Sequence, residues 1–116
     1  MQENDTKYLR AMLKAAEDAI GFTENKSRDD LEKDRQLALS LVKSLEMIGQ
    51  AASRVSERCQ KACEPIPWEQ VIDTKHQVVH TYWEIDLDWV WGKVKGELPS
   101  LMSALKEILQ KKSAAI

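Results

Sequence analysis

The chain has 116 residues, 43% hydrophobic and 31% charged, a balance suited to one soluble globular domain and too apolar for disorder. Its 17 basic and 19 acidic residues leave a net charge of -2, which excludes nucleic-acid binding through bulk positive charge alone. Four Gly and three Pro supply little material for turns, so a few long helices are favoured over many short strands.

The opening residues Met1 to Asp5 are polar and acidic, unlike the basic-then-apolar pattern of a secretory signal. No apolar run approaches the length of about 18 residues that marks a membrane span. The expectation is a cytoplasmic protein with no membrane segment.

A first helix is predicted from Thr6 to Gly21, because Leu9, Met12, Leu13, Ala16 and Ile20 recur at threes and fours. Gly21 is the expected stop, through the left-handed conformation that glycine takes cheaply. Thr23 to Lys26 reads as a connection. Ser27 is predicted to cap a second helix, its hydroxyl accepting from a free N–H, with Asp29 and Asp30 at the positive helix end. One stripe of Leu31, Ala38, Leu41, Val42, Leu45, Ile48, Ala52 and Val55 runs on to about Ala62. It predicts one long central helix of roughly 35 residues, or about 50 Å. Gly49, Ala51 and Ala52 form a small-residue notch in it, where another helix can approach closely.

Cys59 and Cys63 lie four apart in this pattern. One such pair without further ligands is a poor metal site, and ordinary half-buried thiols in a reducing compartment are expected. Pro65 and Pro67 end the long helix, and Pro67 suits the first turn of a third. Trp68, Val71, Ile72, Val78 and Val79 are the apolar residues of that third helix. A break is predicted over Glu84 to Asp88, with Asp86 capping a fourth helix that carries Leu87, Val90, Trp91 and Val94. Gly96 and Pro99 predict a kink near Glu97 and Leu98. Leu101, Met102, Leu105, Ile108 and Leu109 carry the last helix to about Lys112. The fold class is therefore an all-α, up-and-down bundle of four to five helices, with residues 1–116 as a single domain.

Chemistry concentrates between Pro65 and Trp91, which hold both histidines and all four tryptophans. Lys75 offers a fixed positive charge for a phosphate, His80 an imidazole that titrates near neutral pH, and Tyr82 a modifiable hydroxyl. His76, Thr81 and Trp83 are further candidates for the walls of a cleft. On a straight helix Lys75 and His80 sit about 140° apart, so they flank a groove instead of converging. The plain alternative is an amphipathic helix with a solvated polar face. His76 and His80 are spaced for a metal, but no Glu or Asp lies between them as in metalloproteases, and no metal is expected. Trp68 and Trp91 read as core. Trp83 and Trp89 flank the break, where exposed rings suit base stacking or a subunit contact.

Several short motifs in order carry a family resemblance: Ile48-Gly49-Gln50-Ala51-Ala52, Ile66-Pro67-Trp68, Lys75-His76-Gln77-Val78-Val79-His80-Thr81-Tyr82, Asp86, Val90-Trp91 and Leu98-Pro99-Ser100-Leu101. Over nearly its whole length the chain resembles HepT-like toxins of the HEPN superfamily, which pair with a minimal nucleotidyltransferase antitoxin. His80 and Tyr82 match the family motif, whereas Lys75 stands where the family has Arg and His76 where Asn is common. The resemblance implies a HEPN-like fold and a homodimer whose facing motifs build one cleft. It implies RNA cleavage without a metal or other cofactor, as the toxin of a type VII toxin-antitoxin system. Lys75 and His80 would then be catalytic, and Tyr82 would be the acceptor for AMP transferred by the antitoxin. The alternative implied by Lys75 is a weakened or inactive HEPN protein that serves as a binding module for a nucleotidyltransferase or a nucleotide.

Overall fold

The computed structural model describes residues 3–81 and 84–114, and side chains for residues 4–77 and 84–111. The described residues form helices α1 (Glu3–Phe22), α2 (Asp30–Lys33), α3 (Arg35–Arg54), α4 (Glu57–Ala62), α5 (Trp68–Thr81), α6 (Leu87–Gly92) and α7 (Leu98–Ala114). A π-helical turn, Lys93–Glu97, joins the last two. The architecture is the expected all-α bundle. Helix α3 is its centre, packed on α1 along one side and on α5 along another, while α7 lies against α1.

Helix α1 forms as the stripe predicts: Leu9, Met12 and Ala16 are fully buried, and Ala15 and Ala19 widen the buried face. It does not stop at Gly21. It continues to Phe22, and the left-handed residue of the following turn is Asn25, with φ 60°. The Thr23 hydroxyl donates to the Ile20 carbonyl at 2.8 Å and closes the helix end. The Ser27 cap also differs from expectation. Asp30 accepts from the Ser27 backbone N–H at 2.7 Å and from its hydroxyl at 3.3 Å, which holds the Asp30 carboxyl below its ordinary pKa.

The single long helix is instead three segments on one continuous apolar stripe. Asp34 leaves helical geometry at φ -124°, ψ 94° and accepts from the Leu37 N–H, capping α3. Its short carboxylate competes well for free N–H groups, so it favours a cap over a helix interior. At the other end Ser56 caps α4 by accepting from Cys59 N at 3.2 Å. Buried Asp5, from the first turn of α1, accepts from both Ser56 N and Ser56 Oγ at 2.8 Å. Hydrogen bonds to a charged group are each worth roughly 1.5–3 kcal/mol, enough to offset one broken helical turn.

Cys59 and Cys63 are buried more deeply than expected, and burial pushes the Cys59 thiol up to about 12. The Cys63 carbonyl accepts from Trp68 Nε1 at 3.0 Å, which anchors the buried tryptophan that opens α5. Asp86 caps α6 as predicted, accepting from Trp89 N at 3.0 Å. The expected kink near Glu97 is the π-helical turn. Pro99 has no N–H and its ring crowds the carbonyl four residues back, so the ladder widens and Leu98 N–H reaches Lys93 O.

Candidate functional site

The site is best built from α5 outward. Gly49 of α3 is buried, and a Cβ there would stand 2.9 Å from the Lys75 backbone nitrogen and 3.0 Å from Lys75 Cβ. The expected notch therefore exists, and the residue that enters it is Lys75. Only a glycine allows this approach, so the backbone at 75 is held against the spine of the bundle. Lys75 itself is half-buried, and its neighbour His76 is exposed.

Helix α5 stays regular through Thr81, so positions 80 and 81 have helical backbone. Tyr82 and Trp83 lie outside the described residues. Lys75 and His80 are five positions apart, about 7.5 Å along the axis and 140° around it. The two positions therefore fall on different faces of α5.

A cleft of about 280 Å³ opens elsewhere, between α3, the start of α5 and the π-helical turn, with Ile48, Pro65, Val71, Thr74, Lys93 and Leu98 in its walls. Neither Lys75 nor His76 is among the residues that line it. Among the described residues no three metal-binding side chains come together.

The tryptophans divide partly as expected. Trp68 is core, but Trp91 is only half-buried, with Lys95 Nζ 5.4 Å from its ring centre. Trp89 is also half-buried, and Lys93 Nζ lies 5.7 Å from its ring. Both pairs are four residues apart on a helical surface, the spacing at which a lysine and a ring meet and one visible in the sequence. Lys95 also reaches Thr23 Oγ1 at 3.3 Å, tying the π-helical turn to the end of α1. Arg28 grips Asp88 at 2.6 Å, and that hydrogen bond raises the already high pKa of its guanidinium.

The ribonuclease HepT-like family model matches residues 12–108, which span α5 and the whole Lys75–Tyr82 motif. The chain belongs to the HepT-like ribonuclease family. Relatives include a "Putative RNase" of Caldanaerobacter subterraneus subsp. tengcongensis, 30% identical over 90% of this chain and 93% of that protein. A "Putative RNase" of Methanocaldococcus jannaschii is 25% identical over 95% of this chain and 92% of its own length. The "Probable ribonuclease HepT" of Thermococcus cleftensis is 24% identical over 93% and 98%. No solved structure matches the chain significantly. As a HepT-like chain it carries the motif positions Lys75 to Thr81 on one helix, braced at Lys75 by the central helix. No helix among the described residues is long and apolar enough to cross a membrane.

Proposed function

We propose that this chain is a metal-independent endoribonuclease, with Lys75 and His80 as its catalytic residues, acting as a homodimer. The observation that carries this reading is the family match across residues 12–108, which includes the motif segment of α5. His80 moves protons: it takes one from the ribose 2′-hydroxyl or gives one to the leaving 5′-oxygen. Attack of the 2′-oxygen on phosphorus breaks the P–O5′ bond, leaving a 2′,3′-cyclic phosphate and a 5′-hydroxyl. Lys75 holds the phosphate and offsets charge that develops in the transition state. The 140° separation on α5 supports a cleft shared by two copies, where the Lys75 of one faces the His80 of the other. Dimerisation also doubles the local cations of a chain whose net charge is -2.

A weakened enzyme that serves mainly as a binding module is the second reading, favoured by Lys75 itself. Lysine supplies charge without the planar two-pronged grip of a guanidinium. A single transition-state contact of this kind is worth roughly 2–4 kcal/mol, or about 30- to 1000-fold in rate. Lys75→Arg is accordingly expected to raise cleavage of single-stranded RNA by about tenfold or more, measured with purified protein in the presence of a chelator. Detectable cleavage by the wild type supports the nuclease. No cleavage by either form, with both folded, favours the binding module.

The proposed regulation is AMP transfer to Tyr82 by a minimal nucleotidyltransferase antitoxin in a type VII pair. Each AMP brings a phosphate and its charge to the position an RNA phosphate would occupy, so bulk and like-charge repulsion both oppose substrate. Incubated with partner, ATP and magnesium, the wild type should gain an AMP-sized mass and Tyr82→Phe should gain none. The same gain on Tyr82→Phe would place the acceptor elsewhere.

A further inference from the structure

We propose that the cleft between α3, α5 and the π-helical turn binds a branched aliphatic α-amino acid, and that the bound molecule steadies the Lys75 segment. The second half rests on the ribonuclease reading; the site itself does not.

The floor of the cleft is apolar. Leu45, Ile48, Ile66, Leu98 and Leu101 are buried there, and Val71 is half-buried. At about 280 Å³ the cleft falls just below the range of roughly 300–1,000 Å³ typical of drug-sized ligand sites, so its occupant is small.

One wall carries both signs of charge. Lys93 Nζ lies 3.1 Å from Glu97 Oε2, and both side chains line the cleft, 17% and 52% exposed. An ammonium has three donors and a carboxylate about four lone-pair sites, so each keeps capacity for a ligand while the pair stays intact. A ligand with one charge gains one of these partners and is repelled by the other. A zwitterion satisfies both: its carboxylate accepts from Lys93 and its ammonium donates to Glu97. The two charged groups of an α-amino acid stand on one carbon, which matches neighbours this close. Its branched side chain then reaches the apolar floor, where burial favours it. Gln70 and Ser100, both exposed, add neutral hydrogen-bonding groups to the rim.

The cleft is placed to act on the motif helix. Ile48 and Thr74 line it, and their chain neighbours Gly49 and Lys75 make the close contact between α3 and α5. An occupant touching α3, α5 and α7 supplies packing contacts that an open cleft lacks. It therefore holds α5 against α3 and narrows the positions open to Lys75. RNA cleavage should speed up, because the rate depends on how well the reacting groups are positioned.

The test uses the purified full chain with L-leucine as the probe, read by calorimetry and by thermal melting. Wild type should bind about one molecule per chain and melt several degrees higher, since a ligand of the folded state stabilises it. Isoamylamine lacks the carboxylate, N-acetyl-L-leucine lacks the ammonium, and glycine lacks the side chain. Each should bind at least about tenfold more weakly, and Glu97→Gln should weaken L-leucine binding by a similar factor. A Cβ at Gly96, on the cleft wall, meets nothing within 4 Å, so Gly96→Leu should fill the space with the fold intact and abolish binding. Saturating L-leucine should raise wild-type RNA cleavage severalfold and have no effect on cleavage by Gly96→Leu. No heat and no melting shift at millimolar L-leucine overturns the site, as does undiminished binding by Gly96→Leu. Equal affinity for the singly charged analogues overturns zwitterion recognition. An unchanged cleavage rate in wild type saturated with L-leucine overturns the coupling. L-leucine binding in a protein that cuts no RNA supports the site and overturns the ribonuclease reading instead.

Discussion

His80→Ala is expected to lower the rate of RNA cleavage by about 100- to 10,000-fold, the usual contribution of a positioned general acid or base. The loss should fall on kcat more than on KM, because the proton moves only in the transition state. Alanine is the best helix former and leaves the α5 backbone at position 80 free to stay helical, so the fold should survive. Circular dichroism and a thermal melt close to wild type would separate a chemical loss from an unfolding one. If the folded variant cleaves as fast as wild type, His80 is not the proton-transfer group. The activity would then belong to another residue or to a contaminant.

Gly49→Ala should be damaging although it adds only one methyl group. In an exposed helix, Gly→Ala stabilises by up to about 1 kcal/mol through helix propensity. At this position the new methyl meets the Lys75 backbone nitrogen at 2.9 Å, a distance real Cβ atoms do not show. Backbone cannot rotate aside as a flexible side chain can, so α5 must shift. Overpacking of this kind typically costs 1–3 kcal/mol, which cancels or exceeds the propensity gain. The functional effect should be larger than the stability effect. A displacement of about 1 Å in a positioned group can cost on the order of 100-fold in rate, and here the moved segment carries both Lys75 and His80. The expected pair of results is a melting temperature at or below wild type and cleavage reduced about a hundredfold. A variant more stable than wild type with unchanged cleavage would show that the α3–α5 contact does not position the site.

Much of this was legible along the chain because the signals are local. The apolar stripe of α1, the Asp86 cap, the proline stop before Trp68 and the weakness around Pro99 depend on residues within a turn or two of each other. The notch at Gly49 was legible as well, since small residues within an apolar stripe mark a close approach. Its occupant was not. Lys75 is 26 positions further on, and nothing local says which helix the notch receives. The candidate site was read as residue types and spacing, with Lys75, His80 and Tyr82 named from the motif; the described geometry concerns Lys75 and the α5 backbone.

By itself, the sequence determined an all-helical protein, its apolar faces and the segment that bears its chemistry, because helical periodicity and proline sterics act over a few residues. Tertiary structure decided where the central stripe breaks. Periodicity runs unbroken through Val55 and Ser56, and the helix yields there because Asp5, 51 residues away, supplies two short hydrogen bonds to Ser56. It also decided that the motif helix is braced at Lys75. Where the backbone of a helix is held is settled by contacts between residues far apart in the chain, here Gly49 and Lys75.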